Sequence, residues 1–165
     1  MNMNYEVIFE SKRINFIKLN KDLVNDYLDM VNDYDVQKYI HHKRRVYTLE
    51  QELDWIEDKL NTNAVIFSMI EKETNDFIGN IEIMDIENNG GELGITITPK
   101  KQDKHYGQEA INALIDYAFN TIHLKDIYLD VFDFNERAIA CYEKVGFVKA
   151  GTGKTIEDIH MIYKK

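Results

Sequence analysis

The first segment of this sequence that could form a ligand site is a predicted strand followed by a glycine-containing loop and a helix. Residues 94–110 read GITITPKKQDKHYGQEA, with Lys100, Lys101 and Lys104 ahead of the helix. The first N–H groups of a helix lack internal partners and lie at the positive end of its dipole, so they bind phosphate readily. Gly107 lets a phosphate approach the backbone closely. Taken alone, the segment also fits an ordinary helix start with solvated lysines, because short glycine motifs often match by chance.

A second motif follows at residues 135–147, which read NERAIACYEKVGF. Together the two segments resemble the GNAT superfamily of N-acetyltransferases, where a Q/R-x-x-G-x-G/A loop binds the cofactor pyrophosphate and N-x-x-A-x-x-x-Y-x-x-x-G-F marks the next helix. The helix motif is complete here: Asn135, Ala138, Tyr142, Gly146 and Phe147. Residues 92–95 and 106–110 resemble the branch that contains the ribosomal-protein alanine and spermidine N-acetyltransferases.

The loop departs from the family pattern at one position. It reads Gln102-x-x-His105-x-Gly107, so His105 stands where the family usually has its first glycine. A histidine tolerates positive φ better than most residues but less well than glycine. Either its side chain points away and the backbone still binds, or cofactor affinity is weakened. We favour the first outcome because the three lysines keep the loop positive.

The resemblance implies acetyl-CoA as cofactor and direct attack of a primary amine on its thioester. An alkylamine has a pKa near ~10.4 and is mostly protonated at neutral pH, so the site must remove a proton. Tyr142 matches the family's tyrosine beside the sulfur and is assigned as general acid, with core packing as its alternative role. Glu92 is the candidate base, Glu82 is its competitor and Asp130 is a weaker third candidate.

The resemblance also assigns the cofactor contacts. The backbone of the third meander strand pairs with the pantetheine arm, the loop binds the pyrophosphate, and one asparagine binds further down. The predicted cofactor-binding residues are Ile95, Thr96, Ile97, Thr98, Gln102, Asp103, Lys104, His105, Tyr106, Gly107, Gln108 and Asn135. A GNAT-like module that senses acetyl-CoA without turnover is the alternative, favoured by His105 and opposed by the intact Tyr142.

The acceptor is open at this stage. It could be a small amine, such as a polyamine or an antibiotic amine, or a protein N-terminus. A peptide acceptor needs an open groove, whereas a small amine suits a closed acidic pocket. The basic run at residues 41–45 (HHKRR) would border this site in the family, although a solvated loop explains it as well.

The elements that must position these residues follow from hydrophobic periodicity. Strands are predicted at residues 13–19, 64–70, 77–86, 93–97, 127–131 and 156–163, with a short additional candidate at 147–149. Helices are predicted at residues 20–32, 48–60, 110–119 and 135–146, the second of them starting with a Thr48–Gln51 capping box. The order βααβββαβαβ indicates a mixed α/β (α+β) three-layer GNAT-like fold, with a mostly antiparallel central sheet flanked by helices. The strand–helix–strand passage between residues 93 and 131 predicts a parallel crossover.

Composition restricts the remaining possibilities. A chain of 165 residues with 44% hydrophobic and 30% charged residues is typical of one globular domain, here residues 1–165, and excludes a disordered tail. The net charge of −9 disfavours nucleic acid and would suit a cationic acceptor, although many cytosolic proteins are acidic for solubility alone. Cys141 is the single cysteine, so no internal disulfide or metal site is predicted. Residues 1–10 lack the apolar core of a secretory signal, and no run approaches the ~20 apolar residues of a membrane helix. We therefore expect a cytoplasmic protein with no membrane partner, and the resemblance leaves a homodimer open.

Overall fold

One sheet of eight strands organises the molecule, and the computed structural model describes residues 5–163 of it. The strands are β1 (Val7–Glu10), β2 (Ile14–Ile17), β3 (Val65–Glu71), β4 (Phe77–Glu87), β5 (Gly90–Ile97), β6 (Asp126–Phe132), β7 (Phe147–Thr152) and β8 (Asp158–Tyr163). The helices are α1 (Val24–Asn32), α2 (Tyr34–Gln37), α3 (Leu49–Leu60), α4 (Tyr106–Asn120) and α5 (Glu136–Val145). The strand order is β1-β2-β3-β4-β5-β6-β8-β7. The described neighbours pair antiparallel except β5 and β6, which are parallel as predicted.

Two apolar layers cover the two faces of the sheet. Strand β3 shows the alternation, since Phe67 and Met69 belong to the core under α4 and α5, whereas Ile66 and Ile70 belong to the core under α1 and α3. Successive side chains of a strand point to opposite faces, so this strand feeds both layers. Burying an aliphatic side chain stabilises a fold by about 1.5–3 kcal/mol. The helices are thereby held on both sides of the strands that carry the site.

The sheet separates in its middle. Pairing between β5 and β6 covers Gly90 to Glu92 on one strand and Asp126 to Tyr128 on the other. Beyond that point β5 continues to Ile97 and β6 to Phe132 without further pairing between them. The two strands therefore separate beyond this pairing, and a gap lies between their remaining residues.

The predicted fold class is confirmed, but the structure adds two elements that were not predicted, β1 and α2, and lengthens the candidate strand at residues 147–149. Strand β1 was not predicted, because its apolar run of Val7, Ile8 and Phe9 is too short to give a periodic signal. Phe9 secures it by stacking on Phe16 and Tyr117, at centroid distances of 4.3 and 4.5 Å. Helix α2 has four residues, and β7 extends to Thr152 through its pairing with β8. Within residues 5–163, no helix combines the length and apolarity needed to cross a bilayer.

Candidate active site

A cleft of about 1250 Å³ occupies the gap between β5 and β6, with α3, α4 and α5 contributing to its walls. The Thr98 N–H donates to the Ile78 carbonyl oxygen at 2.9 Å. This bond shows which residues of β5 direct their backbone groups towards β4. In an antiparallel ladder these bonds alternate, so Ile95 and Ile97 direct their backbone groups away from β4 and into the gap. An extended ligand could pair with β5 there as a strand would. Of the four residues of this segment predicted to bind the cofactor, Ile95, Thr96 and Ile97 line the cleft, and Thr98 lies outside its lining.

The N-terminus of α4 opens into the same cleft. His105 is the N-cap of this 15-residue helix and adopts the left-handed conformation with φ of 65°, without a side-chain cap bond. Asp103 is also left-handed, with φ of 60°. The N–H groups of the first turn consequently have no cap acceptor, and they lie at the positive end of the helix dipole. A histidine thus takes the backbone conformation that glycine would take in this loop, and a phosphate can approach the turn.

Arg137 fixes the loop that precedes α4. Its guanidinium donates to the Asp103 carboxylate and to the Gln102 side-chain oxygen, both at 2.9 Å. Gln102 in turn donates through its amide nitrogen to the Ile97 carbonyl oxygen at 2.9 Å. These bonds join β5, the loop and the first turn of α5 around one end of the cleft. Sequence reasoning missed Arg137, although it lies inside the quoted helix motif two residues after Asn135.

The three lysines of the loop before α4 do not line the cleft. Lys101 pairs with Glu71 and Asp76 at 3.0 Å each, with its side chain only 13% exposed, so its charge is neutralised away from the cleft. Lys100 and Lys104 are exposed and outside the cleft lining. Arg137 and Lys144 are the cations that line this end. The expectation that three lysines make the loop positive is therefore wrong for Lys101.

Among the other predicted cofactor-binding residues, Asn135 lines the cleft and Tyr106 does not. Tyr106 is buried, and its hydroxyl hydrogen-bonds Glu71, so its side chain faces the core. Asn135 lines the cleft and also caps α5, accepting from the Ala138 N–H at 3.4 Å. The α4 half of the cleft is the end lined by Gln102, Asp103, His105, Gly107, Gln108, Asn135, Arg137 and Lys144.

Tyr142 lies on α5 and lines the cleft, half-buried against Phe147 at a centroid distance of 5.9 Å. Burial raises the pKa of its hydroxyl, and neighbouring Cys141 adds to the shift. The hydroxyl therefore stays protonated at neutral pH. No residue between 5 and 163 hydrogen-bonds it, which leaves the proton free to interact with a ligand. Burial likewise raises the pKa of the Cys141 thiol, so Cys141 is not an activated thiolate.

The opposite end of the cleft is the acidic half, lined by Glu52, Glu82, Glu92, Asp130 and Asp158. Glu82 pairs across the ladder with Gly94, and its side chain lies over that glycine. The Glu82 pKa is raised by burial and by the nearby Glu92 and Asp85 carboxylates, against an opposing effect of Lys59. Burial raises the Glu52 pKa as well.

Glu92 and Asp130, the other two candidate bases, already have partners. Glu92 is 8% exposed and pairs with Lys154, its Oε2 lying 3.3 Å from Nζ. Asp130 accepts from the Lys154 backbone N–H at 3.0 Å and contacts His160 Nδ1 at 2.7 Å. Glu82 forms no ion pair within residues 5–163. All three carboxylates share the acidic half, and among the described residues Glu82 is the one of the three that forms no ion pair, with Lys59 acting on it only at longer range.

The loop between α2 and α3 contributes to the lining of the cleft. Gln37 is buried and holds this loop, accepting from the Arg45 N–H at 2.9 Å and donating to the Val31 carbonyl oxygen at 2.8 Å. His42 reaches the opposite wall, where its ring lies 4.7 Å from Phe132 and its Nδ1 lies 3.7 Å from Glu157. His41 and His42 line the cleft, whereas Lys43, Arg44 and Arg45 do not.

Comparison with known proteins identifies the family. The acetyltransferase (GNAT) domain profile matches residues 13–148. A spermidine N(1)-acetyltransferase from Vibrio cholerae is 33% identical over 94 residues, which are 56% of this chain and 54% of that protein. The Escherichia coli K12 protein of the same name is 35% identical over 75 residues, or 44% of this chain and 40% of that one. The chain thus aligns with only about half the length of these curated relatives.

Solved structures agree in fold. A GNAT-family acetyltransferase from Bacillus anthracis has a TM-score of 0.81 at 23% identity, covering 93% of this chain and 95% of that one. A Vibrio cholerae spermidine N-acetyltransferase in complex with CoA and spermine has a TM-score of 0.82 at 22% identity, covering 92% and 95%. The resemblance predicted from the two motifs is confirmed by the profile, which extends over most of the sequence: this chain belongs to the acetyltransferase (GNAT) domain family.

Proposed function

We propose that this protein is an enzyme that transfers an acetyl group from acetyl-CoA to a primary amine of a small polycation. The division of charge within one cleft carries the proposal. The α4 half offers open helix N–H groups together with Lys144 and with Arg137, which pairs with Asp103, whereas the acidic half offers five carboxylates, of which Glu92 pairs with Lys154. Anions favour the first environment and cations the second. Relatives named spermidine N(1)-acetyltransferase support the same class of acceptor.

The α4 half fits the pyrophosphate and pantetheine parts of acetyl-CoA. The N–H groups of Tyr106, Gly107 and Gln108 form the first turn behind the left-handed His105, a geometry suited to phosphate oxygens. A β-carbon at Gly107 would meet Ile97 and Cys141 only at ordinary contact distances of 3.5 and 3.6 Å. The backbone of Ile95 and Ile97 would pair with the extended arm. Acetyl-CoA, when bound, supplies the acetyl thioester, while the residues of the chain bind, orient and move protons.

We assign the proton-accepting role to Glu82 and the proton-donating role to Tyr142. Burial raises the pKa of Glu82, and Glu82 forms no ion pair within residues 5–163, so it is suited to take a proton from the acceptor ammonium. Glu92, the base expected from the sequence, pairs with Lys154 and serves better to hold a cation. Tyr142 keeps its proton because of its raised pKa and can give it to the leaving thiolate. The two roles lie on different walls of the same cleft.

The shape of the acidic half favours a small amine over a peptide. His42 contacts Phe132 and Glu157, and Tyr39 lies 5.9 Å from Phe134, so the loop between α2 and α3 packs beside the cleft against the end of β6 and the segments that follow it. A peptide bound along that side would need these contacts to open. Asp158 Oδ1 adds a chemical reason, because it is buried without a hydrogen-bond partner among residues 5–163. An ammonium donor would satisfy this oxygen, which otherwise carries an uncompensated desolvation cost.

Calorimetry of acetyl-CoA binding, followed by thiol release with a panel of amines, tests the proposal. The panel contains spermidine, 1,3-diaminopropane, propylamine and a short peptide with a free N-terminus. We expect acetyl-CoA binding, with thiol release fastest for the diamine and spermidine. Tyr142→Phe is the matched control, since it retains the aromatic ring. Thiol release with the peptide alone would refute the small-amine assignment.

Binding of acetyl-CoA without thiol release from any amine would instead favour a sensor module. His105 was the sequence feature that favoured this alternative. The left-handed backbone conformation of His105 is one that glycine adopts readily, and this supports cofactor binding by the backbone of the loop.

A further inference from the structure

Two residues of the loop before α4 take a backbone conformation that a β-carbon disfavours. Asp103 has φ of 60° and His105 has φ of 65°, and neither is glycine. The Arg137 guanidinium holds the Asp103 side chain, whereas His105 makes no side-chain cap bond. Contacts from another part of the chain must therefore help to hold His105 in the left-handed region.

Arg13, the residue before β2, supplies such contacts from outside the cleft lining. Its Nη1 donates to the Lys104 carbonyl oxygen at 3.0 Å, and its Nε lies 2.7 Å from Glu109 Oε1. The Arg13 backbone N–H donates to the other carboxylate oxygen of Glu109 at 2.8 Å. The guanidinium carbon also lies 4.2 Å from the centre of the Tyr106 ring. One planar guanidinium thus joins the loop to the N-terminal part of α4, which the fork of donors on arginine makes possible.

The bond to the Lys104 carbonyl also sets the direction of the next backbone N–H. The peptide unit between Lys104 and His105 is trans and planar, so its C=O and its N–H point in opposite directions. The carbonyl is turned towards Arg13, and the His105 N–H therefore points away from Arg13. Among residues 5–163 this N–H has no hydrogen-bond acceptor, and His105 lines the cleft. It is an open donor that precedes the N–H groups of the first turn of α4.

We infer that Arg13 is a positioning residue for acetyl-CoA, which keeps the His105 N–H directed at the cofactor phosphates by holding the Lys104 carbonyl. This inference rests on the proposed function and adds to it a residue that does not touch the cofactor. Without Arg13, rotation of the peptide between Lys104 and His105 would relieve the left-handed strain and turn the N–H aside. Only the molecules that keep the loop conformation would then bind, so the apparent affinity would fall with their fraction.

The size of the effect follows from the bond that is lost. One hydrogen bond of ordinary net strength corresponds to about fivefold in an equilibrium constant. Arg13→Met keeps the aliphatic stem, and it should weaken CoA binding about three- to fivefold. Glycine takes the left-handed conformation readily, so the strain that moves the loop is absent from His105→Gly. In that background the same Arg13→Met change should weaken CoA binding less than about twofold.

The test is calorimetric titration of CoA into full-length wild type, Arg13→Met, His105→Gly and the variant that combines both changes. The Arg13 side chain is 38% exposed, so methionine leaves the core intact, and thermal melting confirms that each variant is folded. Arg13→Gln, which is too short to reach both Lys104 and Glu109, replaces Arg13→Met if the latter does not fold. Arg44→Met is the matched control, because the Arg44 guanidinium carbon also faces a tyrosine ring, at 5.9 Å, and Arg44 lies outside the cleft lining.

A loss of CoA affinity in Arg13→Met that His105→Gly largely restores supports the inference. An unchanged affinity in Arg13→Met, an equal loss in the combined variant, or the same loss in Arg44→Met would each overturn it. Absence of CoA binding to the wild type would overturn both this inference and the proposed function. The restored affinity without thiol release from any amine would refute the acetyltransferase proposal and leave this inference standing. Thiol release by the wild type with an unchanged CoA affinity in Arg13→Met would do the reverse.

Discussion

Replacement of His105 tests whether the phosphate loop works through its backbone. His105 sits at φ of 65°, where a residue with a β-carbon is disfavoured by about 1–2 kcal/mol. Glycine removes that strain, but it gives the unfolded chain more freedom, at a cost of roughly 0.5–1 kcal/mol. The relief of strain equals or exceeds that cost, so His105→Gly should raise the free energy of unfolding by between zero and about 1.5 kcal/mol. Because the loop keeps its shape, acetyl-CoA affinity should be equal or better.

The chain supplies its own matched control. His123 is an exposed histidine just beyond α4 with φ of 59°, outside the cleft lining. His123→Gly should reproduce the stability change of His105→Gly without any change in acetyl-CoA affinity. Valine provides the opposite perturbation at both positions, because a β-branched residue is a true outlier at positive φ. His105→Val should lose about tenfold in affinity if the loop leaves the left-handed region, since tenfold corresponds to about 1.4 kcal/mol.

Chemical unfolding and calorimetry with acetyl-CoA measure the two quantities separately. A loss of more than tenfold in affinity for His105→Gly, with His123→Gly unaffected, would refute the reasoning. The imidazole itself would then contact the cofactor, and the backbone conformation would not be the binding feature.

Three further substitutions test the proposed roles. Tyr142→Phe should lower the rate of thiol release about a hundredfold or more, the usual size of a general-acid contribution, while acetyl-CoA affinity by calorimetry stays the same. Glu82→Gln should remove the rise of rate with pH in a rate profile: the raised Glu82 pKa means that the carboxylate is lost as pH falls through that value, and glutamine has no such transition. If the rate of Glu82→Gln still rises with pH and the rate of Glu92→Gln does not, Glu92 is the base. Arg137→Met should weaken acetyl-CoA binding severalfold in calorimetry yet lower stability by less than about 1 kcal/mol, because its pair with Asp103 is exposed at 57% and 72%.

Local signals made much of the fold predictable. The Thr48–Gln51 capping box forms both of its bonds, and Asn135 and Gly146 bound α5 where the motif placed them. These features depend on residues within one turn of each other, so the sequence order contains them. Strand β1 does not have this property, because Phe9 is held by Phe16 and by residues far along the chain.

The same distinction between local and distant contacts applies to the candidate site. Tyr142 and Gly107 belong to local motifs, and the cleft contains both. The partners of the charged residues are set by the packing of distant elements and carry no periodic signal. Lys101 turns to Glu71, 30 positions earlier, and Lys154 turns to Glu92, 62 positions earlier. Counting charges in the loop therefore credited Lys101 with a positive potential that its ion pairs with Glu71 and Asp76 neutralise.

The net charge of this protein shows why the positions of the charged residues matter more than their sum. A value of −9 fits both a cationic acceptor and simple solubility, because exposed charges are screened by water and salt. Inside the cleft the screening is weaker, and the Glu82 pKa is raised by burial together with Glu92 and Asp85. An ammonium that enters the acidic half relieves this repulsion and also lowers the Glu82 pKa. If Glu82 is the base proposed above, a cationic acceptor would keep it ionised and able to take a proton, which would couple recognition of a polycation to its activation.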